Sequence, residues 1–364
     1  MTQSSEKQGN DVRYFLGIDT GATKSHALIA DENGRSVGFA QAGAGNWEVV
    51  GWDGAQQLLH AITQDALAMA NISQGNLAGA GFGFAGYDWP EDECGHQKLI
   101  DSLGLGVPTA FGNDTLIGLL AGAEAGWGVV VSAGTSNNSC GRDHQHHACR
   151  LSGMGATSGE FGGATEIVQR AMQEIGRAWS QRGSQTRLTD AFVSAVGATD
   201  IDDMLAGVAR GRYQVGPWIA PLVFETAVQG DPVAQEIVCW AGRELGSLAV
   251  GIIRQLNLAH EVFDVVLAGS LYQAGEPLVT PMRETILAEA PQARLVPLTV
   301  PPVVGGVLWG MEQVGIETAV VRDTLITSTK ALLEKQNHRE REQKICANLR
   351  FIGVESCKAA GRGR

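Results

Sequence analysis

The chain has 364 residues, which suits two domains better than one compact core. Its formal net charge of -12 argues against nucleic acid and anionic membrane surfaces as partners, because both attract a basic surface. The six cysteines contain no Cys-x-x-Cys pair, and no stretch resembles a secretory signal or a membrane span, so we expect a soluble, cytoplasmic protein with reduced thiols.

The first third of the chain is predicted to alternate strands with helices, as in an α/β fold. Strands are predicted at residues 13–19, 24–31, 35–42, 78–85 and 107–111. Helices are predicted at residues 49–70, 88–103 and 114–123. Asn33-Gly34 is typical of a hairpin turn, and Asp88 is predicted to cap the helix that follows it, with Glu91 three residues on.

The opening pattern recurs near residue 128. FLGIDTGATKSHALIAD and GVVVSAGTSNNSCGRD each contain an apolar strand, a Gly/Thr turn and a returning strand, which indicates an internal duplication. The remaining strands are predicted at 128–132, 263–268 and 294–297, after a polar hairpin that runs to residue 150. The remaining helices are predicted at 162–179, 188–196, 201–208, 232–256, 277–288 and 305–314. Beyond residue 321 the chain becomes basic, and we expect a solvated helix at 331–344 within a loose tail.

The end of the first strand carries Asp19, followed by Gly21, Thr23 and Lys24. A carboxylate beside several backbone amides suits a magnesium ion bound to a triphosphate, since the carboxylate holds the hydrated metal and the amides hold phosphate oxygens. The alternative is an ordinary Asp-Thr-Gly hairpin turn, and the motif alone does not decide between them.

Two later strand ends repeat this pattern. Gly134, Thr135 and Ser136 supply turn amides and hydroxyls, and Gly269-Ser270 would let a flat ligand lie against the backbone. Each also has a plain structural interpretation, as a hairpin turn and a strand-to-helix turn.

Asp114 lies between a short strand and a helix, at a position where open α/β sheets bind ligands. It could accept the proton of a hydroxyl during phosphoryl transfer. Alternatively Asp114, or Asn113 before it, merely caps the helix.

The order of these four motifs resembles the actin/hexokinase superfamily, and within it the N-acetylglucosamine kinases and the BadF/BadG/BcrA/BcrD ATPases. The resemblance covers about residues 13–315. It is carried by GIDTGATKSHALIAD, GAGNWEVVG, GFGFAGYDWPED, FGNDT, VVVSAGTSNNSCGR, GEFGGATEI and PPVVGGVLWG. It implies a duplicated, ribonuclease H-like two-domain fold with ATP in the cleft between the domains. The domains would be residues 1–120 and 121–320, followed by a basic tail at 321–364.

The resemblance implies an ATP-dependent kinase for a sugar hydroxyl, most simply that of N-acetylglucosamine or glucosamine. Asp19 would hold Mg²⁺ through water, and Asp114 would be the catalytic base. The residues implied to bind ATP are Gly21, Thr23, Lys24, Gly134, Thr135, Ser136, Gly269 and Ser270. Those implied to bind sugar are Asn46, Trp47, Gly155 and Glu160. Here Met154 replaces a family tryptophan, and Glu160 replaces an aspartate.

Two other functions are compatible with the resemblance. One is a BadF-type ATPase that activates a partner enzyme and holds an iron–sulfur cluster with paired cysteines, for which Cys140 and Cys149 are the nearest candidates. The other is a sugar-sensing domain without catalysis. His144, His146, His147 and Cys149 could bind a metal, but a solvated hairpin tip is the preferred interpretation. We allow for a homodimer.

Overall fold

The computed structural model describes residues 12–351, with side chains described for residues 12–336. The strands of this part are β1 (Tyr14–Thr20), β2 (Ser25–Asp31), β3 (Ser36–Ala42), β4 (Leu77–Phe84), β5 (Thr109–Asn113), β6 (Gly128–Ala133), β7 (Asn137–Arg142), β8 (Ala148–Arg150), β9 (Asp264–Ala268) and β10 (Arg294–Pro297). The helices are α1 (Trp47–Ala70), α2 (Glu93–Ser102), α3 (Asp114–Gly122), α4 (Ala164–Trp179), α5 (Leu188–Val196), α6 (Ile201–Ala209), α7 (Ala220–Val228), α8 (Pro232–Gln255), α9 (Glu276–Glu289), α10 (Val303–Glu312) and α11 (Thr318–Phe351).

The strands form two five-stranded sheets with the same topology. The first sheet has the order β3-β2-β1-β4-β5, and the second has the order β8-β7-β6-β9-β10. In each sheet the first three strands along the chain form an antiparallel meander. The fourth strand pairs parallel with the first, and the fifth pairs parallel with the fourth. The predicted duplication and α/β fold are therefore confirmed.

Each sheet is covered partly by a helix from the other half of the sequence. Helix α10 follows the second sheet in sequence but packs on the first, where Val303, Val304 and Val307 are buried with Phe15. Helix α3 packs on the second sheet through Leu116 and Leu119. Packing therefore crosses the boundary at residue 120 that the sequence predicts, and α10 belongs with the first sheet.

Glycines allow these helices to approach closely. A β-carbon on Gly81 of β4 would lie 2.2 Å from the carbonyl oxygen of Gly306, and one on Gly305 would lie 1.9 Å from that of Ile117. A side chain at either position would force the helices away from the sheet and from each other. Part of the unusual glycine content thus maintains the contact between the two halves.

The last helix begins earlier than the sequence predicts. Helix α11 starts at Thr318, and its side chains Leu325 and Thr329 are fully buried. Ser328 Oγ accepts a hydrogen bond from the backbone N–H of Ser36 and donates to the carbonyl of Gly34. The prediction of a solvated tail is therefore wrong for residues 321–329, because this part of the helix packs on β3. Residues 352–364 of the predicted tail lie outside the described part.

Two local predictions differ from the structure. Asp88 does not cap a helix; instead Asp92 Oδ2 accepts hydrogen bonds from the backbone N–H groups of Asp88 and Trp89, and the α-helix starts at Glu93. Helix α7, whose first turn contains Pro221, was not predicted from the sequence. Within residues 12–351, no helix combines the length and apolar character needed to cross a bilayer.

Candidate active site

Two carboxylates meet at the carboxyl ends of β1 and β5. Asp19 of β1 pairs with Gly83 of β4, and a β-carbon on Gly83 would lie 3.1 Å from the Cα atom of Asp114. Burial, and after it the negative charge of Asp19, raise the pKa of Asp114 to about 7. The fold thus places an aspartate that holds its proton near neutrality next to a second carboxylate.

Asn113, and not Asp114, caps helix α3. Its Oδ1 accepts a hydrogen bond of 3.0 Å from the backbone N–H of Thr115, in the usual geometry of an N-cap. The carboxylate of Asp114 accepts a long bond of 3.4 Å from the Thr115 hydroxyl and interacts weakly with the Thr115 backbone N–H. Asp114 is therefore not engaged as the cap, and its carboxylate remains available to a ligand.

The turn after β1 links Asp19 to the loop that carries Asn46. Gly21 N–H donates to the carbonyl of Lys24, and the Gly21 carbonyl accepts from the backbone of Gly45 and Asn46. His26 Nδ1 lies 3.7 Å from Asp19 Oδ2 and has no hydrogen-bond partner among the described residues. Sequence reasoning missed His26, which only the β1–β2 register places opposite Asp19.

The turn after β6 opens onto a cavity in the second half. The Gly134 and Thr135 carbonyls accept hydrogen bonds from the first turn of α4, which fixes this turn against the helix. Gly269 has φ +106°, and a β-carbon there would lie 2.2 Å from the carbonyl oxygen of Ala133, so only glycine fits. The two turns that the sequence singled out are thus neighbours.

The cavity between these turns has a volume of about 610 Å³. Gly134, Thr135 and Ser270 line one side. Three side chains of the other side were not predicted from the sequence: Pro217, Trp218 and Phe224. They belong to the helical segment inserted between β8 and β9, and no local motif marks them. A polar turn facing apolar and aromatic groups suits a flat, partly polar ligand.

Asn46 and Trp47 lie at the start of α1. Asn46 Oδ1 caps the helix by accepting from Glu48 N–H at 2.8 Å, and Trp47 Nε1 donates to the Gly86 carbonyl at 2.7 Å. The ring of Trp47 stacks on Trp52 with centroids 4.4 Å apart. Trp47 therefore helps to hold the loop at Gly86, which leads into the β4–α2 connection, whereas Asn46 caps α1.

Glu160 is buried with one unsatisfied oxygen. Its Oε1 accepts from Ser152 N–H at 2.9 Å and from the Ser152 hydroxyl at 2.7 Å, whereas Oε2 has no partner among the described residues. The backbone N–H of Glu160 donates to the Gly155 carbonyl, which closes the loop. Buried acceptors are normally paired, so Glu160 Oε2 indicates a place for a donor from a ligand.

The histidines near residue 146 lie at an exposed hairpin tip between β7 and β8. His147 Nδ1 is 3.0 Å from Asp143 Oδ2, and His146 Nε2 is 3.5 Å from Glu312 Oε1. Within the part of the chain that the structure describes, no three His, Cys, Asp or Glu side chains are grouped to hold a metal. The solvated-turn interpretation is consistent with this geometry.

Cys140 and Cys149 lie on adjacent strands, but Cys140 is 4% exposed in the core beneath α3. Burial raises the pKa of the Cys140 thiol far above its ordinary value. A ligand to a cluster shared between two subunits must reach the surface as a thiolate. Cys140 does not, which disfavours the cluster-binding activator.

Comparison with known proteins agrees with the resemblance. The sequence pattern of the BadF/BadG/BcrA/BcrD ATPase family matches residues 16–310. An N-acetyl-D-glucosamine kinase from Dictyostelium discoideum is 25% identical over 81% of this chain and 96% of its own. An N-acetylmuramic acid/N-acetylglucosamine kinase from Clostridium acetobutylicum is 22% identical over 78% of this chain and 94% of its own.

The fold comparison gives the same result. A crystal structure provisionally assigned as an N-acetylglucosamine kinase from Chromobacterium violaceum superposes with a TM-score of 0.60, is 25% identical, and covers 82% of this chain and 99% of its own. Family pattern, relatives and fold thus coincide over most of both sheets. The chain belongs to the BadF/BadG/BcrA/BcrD ATPase family.

Proposed function

We propose that the protein transfers the γ-phosphoryl group of ATP to a hydroxyl of an amino sugar, with N-acetylglucosamine as the first candidate. The observation that carries the proposal is that Asp19 and Asp114 lie at the carboxyl ends of β1 and β5, on either side of β4. Asp114 does not cap helix α3, because Asn113 does. The names of the relatives from Dictyostelium and Clostridium favour an amino sugar as the acceptor.

In this proposal the nucleotide lies across the second half. Its adenosine would enter the cavity beside Gly269, Ser270 and Trp218, and its phosphates would meet the turn of Gly134, Thr135 and Ser136. The phosphates would also meet the first turn through Gly21, Thr23 and Lys24. The N–H groups of Gly21 and Gly134 already donate to the carbonyls of Lys24 and Ser136. The phosphates would therefore use the other backbone N–H groups of these turns, the kind of donor that phosphate oxygens use in glycine-rich loops.

Asp19 fits a magnesium ion held through water. Its side chain is 15% exposed at the strand end, so it can face a hydrated cation without being displaced from the sheet. The metal would neutralise charge on the phosphates. Asp19 would hold that ion at the site where the transferred phosphoryl group must lie.

Asp114 would orient the sugar hydroxyl and accept its proton. A general base works best when its pKa is close to the operating pH, and the pKa of about 7 for Asp114 meets that condition. Asn46, Trp47, Gly155 and Glu160 would surround the sugar, and Glu160 Oε2 would accept a hydrogen bond from one of its hydroxyls.

The decisive experiment measures ATP consumption with a panel of amino sugars, hexoses and polyols. We expect turnover with N-acetylglucosamine or a related amino sugar, and a sugar phosphate detectable by mass spectrometry. Binding of a sugar without turnover would instead support the sugar-sensing alternative. ATP hydrolysis that no sugar stimulates would contradict the kinase proposal and favour an activator.

A further inference from the structure

A chain of polar contacts connects the base to the loop that carries Glu160. Asn113 Nδ2 donates to Asp88 Oδ1 at 3.1 Å, and Arg150 Nη1 lies 3.4 Å from the same oxygen. Ser152 then donates to Glu160 Oε1 through its backbone and its hydroxyl. We call this set the polar bridge: Asn113, Asp88, Arg150, Ser152 and Glu160.

Arg150 joins the two halves of the bridge. Its Nη1 donates to the carbonyl of Leu151 at 3.0 Å and to that of Ser152 at 3.4 Å, so the guanidinium holds the start of the loop while it pairs with Asp88. The guanidinium also lies 5.3 Å from the ring centroid of Trp89, beside Asp88. One side chain from the second sheet thus contacts two consecutive residues of the first half.

Asp88 is placed to act on the base through Asn113. Asn113 caps α3, and its Nδ2 also donates to the carbonyl of Tyr87, so the residue immediately before Asp114 is held at three points. Asp88 supplies one of those points and is the one that Arg150 contacts. The ion pair of Asp88 with Arg150 therefore connects the residue before Asp114 to the loop that carries Glu160.

We propose that Asp88 and Arg150 are positioning residues, which hold the Glu160 loop at a fixed separation from Asp114 so that a sugar fits between them. The inference rests on the proposed function. The side chains of Arg150 and Asp88 are 24% and 28% exposed, and a partly exposed ion pair without such a role has little effect on the rate. Misplacement of a reacting group by about 1 Å can cost about 100-fold in rate, so a positioning pair has a much larger effect.

The test is steady-state kinetics of the full chain with ATP and N-acetylglucosamine. We expect Arg150→Gln and Asp88→Asn each to raise the KM for the sugar about tenfold or more, with the KM for ATP within about twofold. The double variant should be no worse than the more impaired single variant, because both break one contact. Arg150→Lys should be intermediate, since one ammonium keeps the charge but not the fork geometry.

The matched control is Arg254→Gln. It breaks the pair of Arg254 with Glu289, which lies at the C-terminal ends of α8 and α9 and not at the strand ends that carry the site. We expect no change in either KM. Melting temperatures of all variants identify any loss of folding, and the near-isosteric Asp88→Asn keeps the test valid if Arg150→Gln is unstable.

Three results would overturn the inference. These are KM values for the sugar within about twofold of wild type, equal increases in the KM values for ATP and for sugar, or additive effects of the two substitutions in the double variant. Failure of the wild-type protein to phosphorylate any sugar is a different outcome, because it contradicts the proposed function itself. If the wild type phosphorylates a sugar and the Asp88 and Arg150 variants have the same KM for that sugar, only the positioning role is contradicted.

Discussion

In the first half, Asp19 is the second-last residue of β1, and the helix after β5 begins with Asp114. At the matching places in the second half, β6 carries Ser132 and the helix after β10 begins with Val303. The strand order is the same in both sheets. A duplication can therefore repeat the strand order of a sheet while the two carboxylates Asp19 and Asp114 occur in one copy.

The connections between the third and fourth strands of the two sheets also differ, and here the second half is the more elaborate. A single helix, α1, connects β3 to β4 in the first half, whereas α4 to α8 connect β8 to β9 in the second. The longer insertion supplies Pro217, Trp218 and Phe224 to the cavity. The comparison indicates that the first half carries Asp19 and Asp114, whereas the second half carries the cavity that we propose for the nucleotide.

The largest effect is expected from Asp114→Asn. A general base contributes about 10²–10⁴-fold to rate, and an amide does not accept the proton, so kcat should fall at least about 100-fold. The helix should remain intact because Asn113 is its cap. Kinetics with the acceptor found in the screen will measure this loss, and the exposed Asp101→Asn on α2 is the control.

Stability provides an independent check on Asp114. Because its pKa in the fold is about 7, above the unfolded value of about 4, the folded state loses stability as pH rises between these two values. The Asn variant should therefore melt higher than wild type at about pH 8, with a smaller difference at about pH 5. A near-normal kcat of the Asn variant would contradict the base assignment. If the melting temperatures of variant and wild type differ by the same amount at both pH values, the raised pKa is contradicted.

A smaller effect is expected in the second half from Gly269→Ala. The added carbon would lie 2.2 Å from the Ala133 carbonyl and displace the turn that borders the cavity. We expect the KM for ATP to rise about tenfold while the KM for sugar stays nearly constant. Kinetics with each substrate varied in turn will separate these effects.

Gly275→Ala is the matched control for Gly269→Ala. Gly275 also has positive φ, +74°, but a β-carbon there meets nothing within 4 Å. It therefore carries the backbone strain without the clash. Equal effects of the two variants on the KM for ATP, or a change in the KM for sugar with Gly269→Ala alone, would contradict the division between the halves.

The smallest effect is expected from shortening α11, which belongs to neither repeat. A chain that ends at Ser328 should melt about 5 °C lower than one that ends at Gln336, because it loses buried Thr329 and the packing of Leu332 and Leu333. Both should retain kcat. Equal melting temperatures would show that the helix does not stabilise the first sheet beyond Ser328.

The sequence by itself determined the strands, the duplication, the family and the strand-end motifs. These features depend on neighbouring residues, such as the apolar run before Asp19 and the Gly-Thr turn after Ala133. The boundaries of α5 were also predicted from local periodicity. Local patterns were sufficient here because each element was specified within its own segment.

Only the tertiary structure decided which residues act together. Asp88 follows the rule for a helix cap, yet it contacts Arg150, 62 residues later in the chain. Asn113 and Asp114 were equivalent candidates until the hydrogen bond to Thr115 identified the cap. The same is true of α10 and α11, which contact strands of the first sheet that lie about 290 residues earlier in the chain. Such contacts depend on how two sheets and their crossing helices pack, and no local sequence pattern records that arrangement.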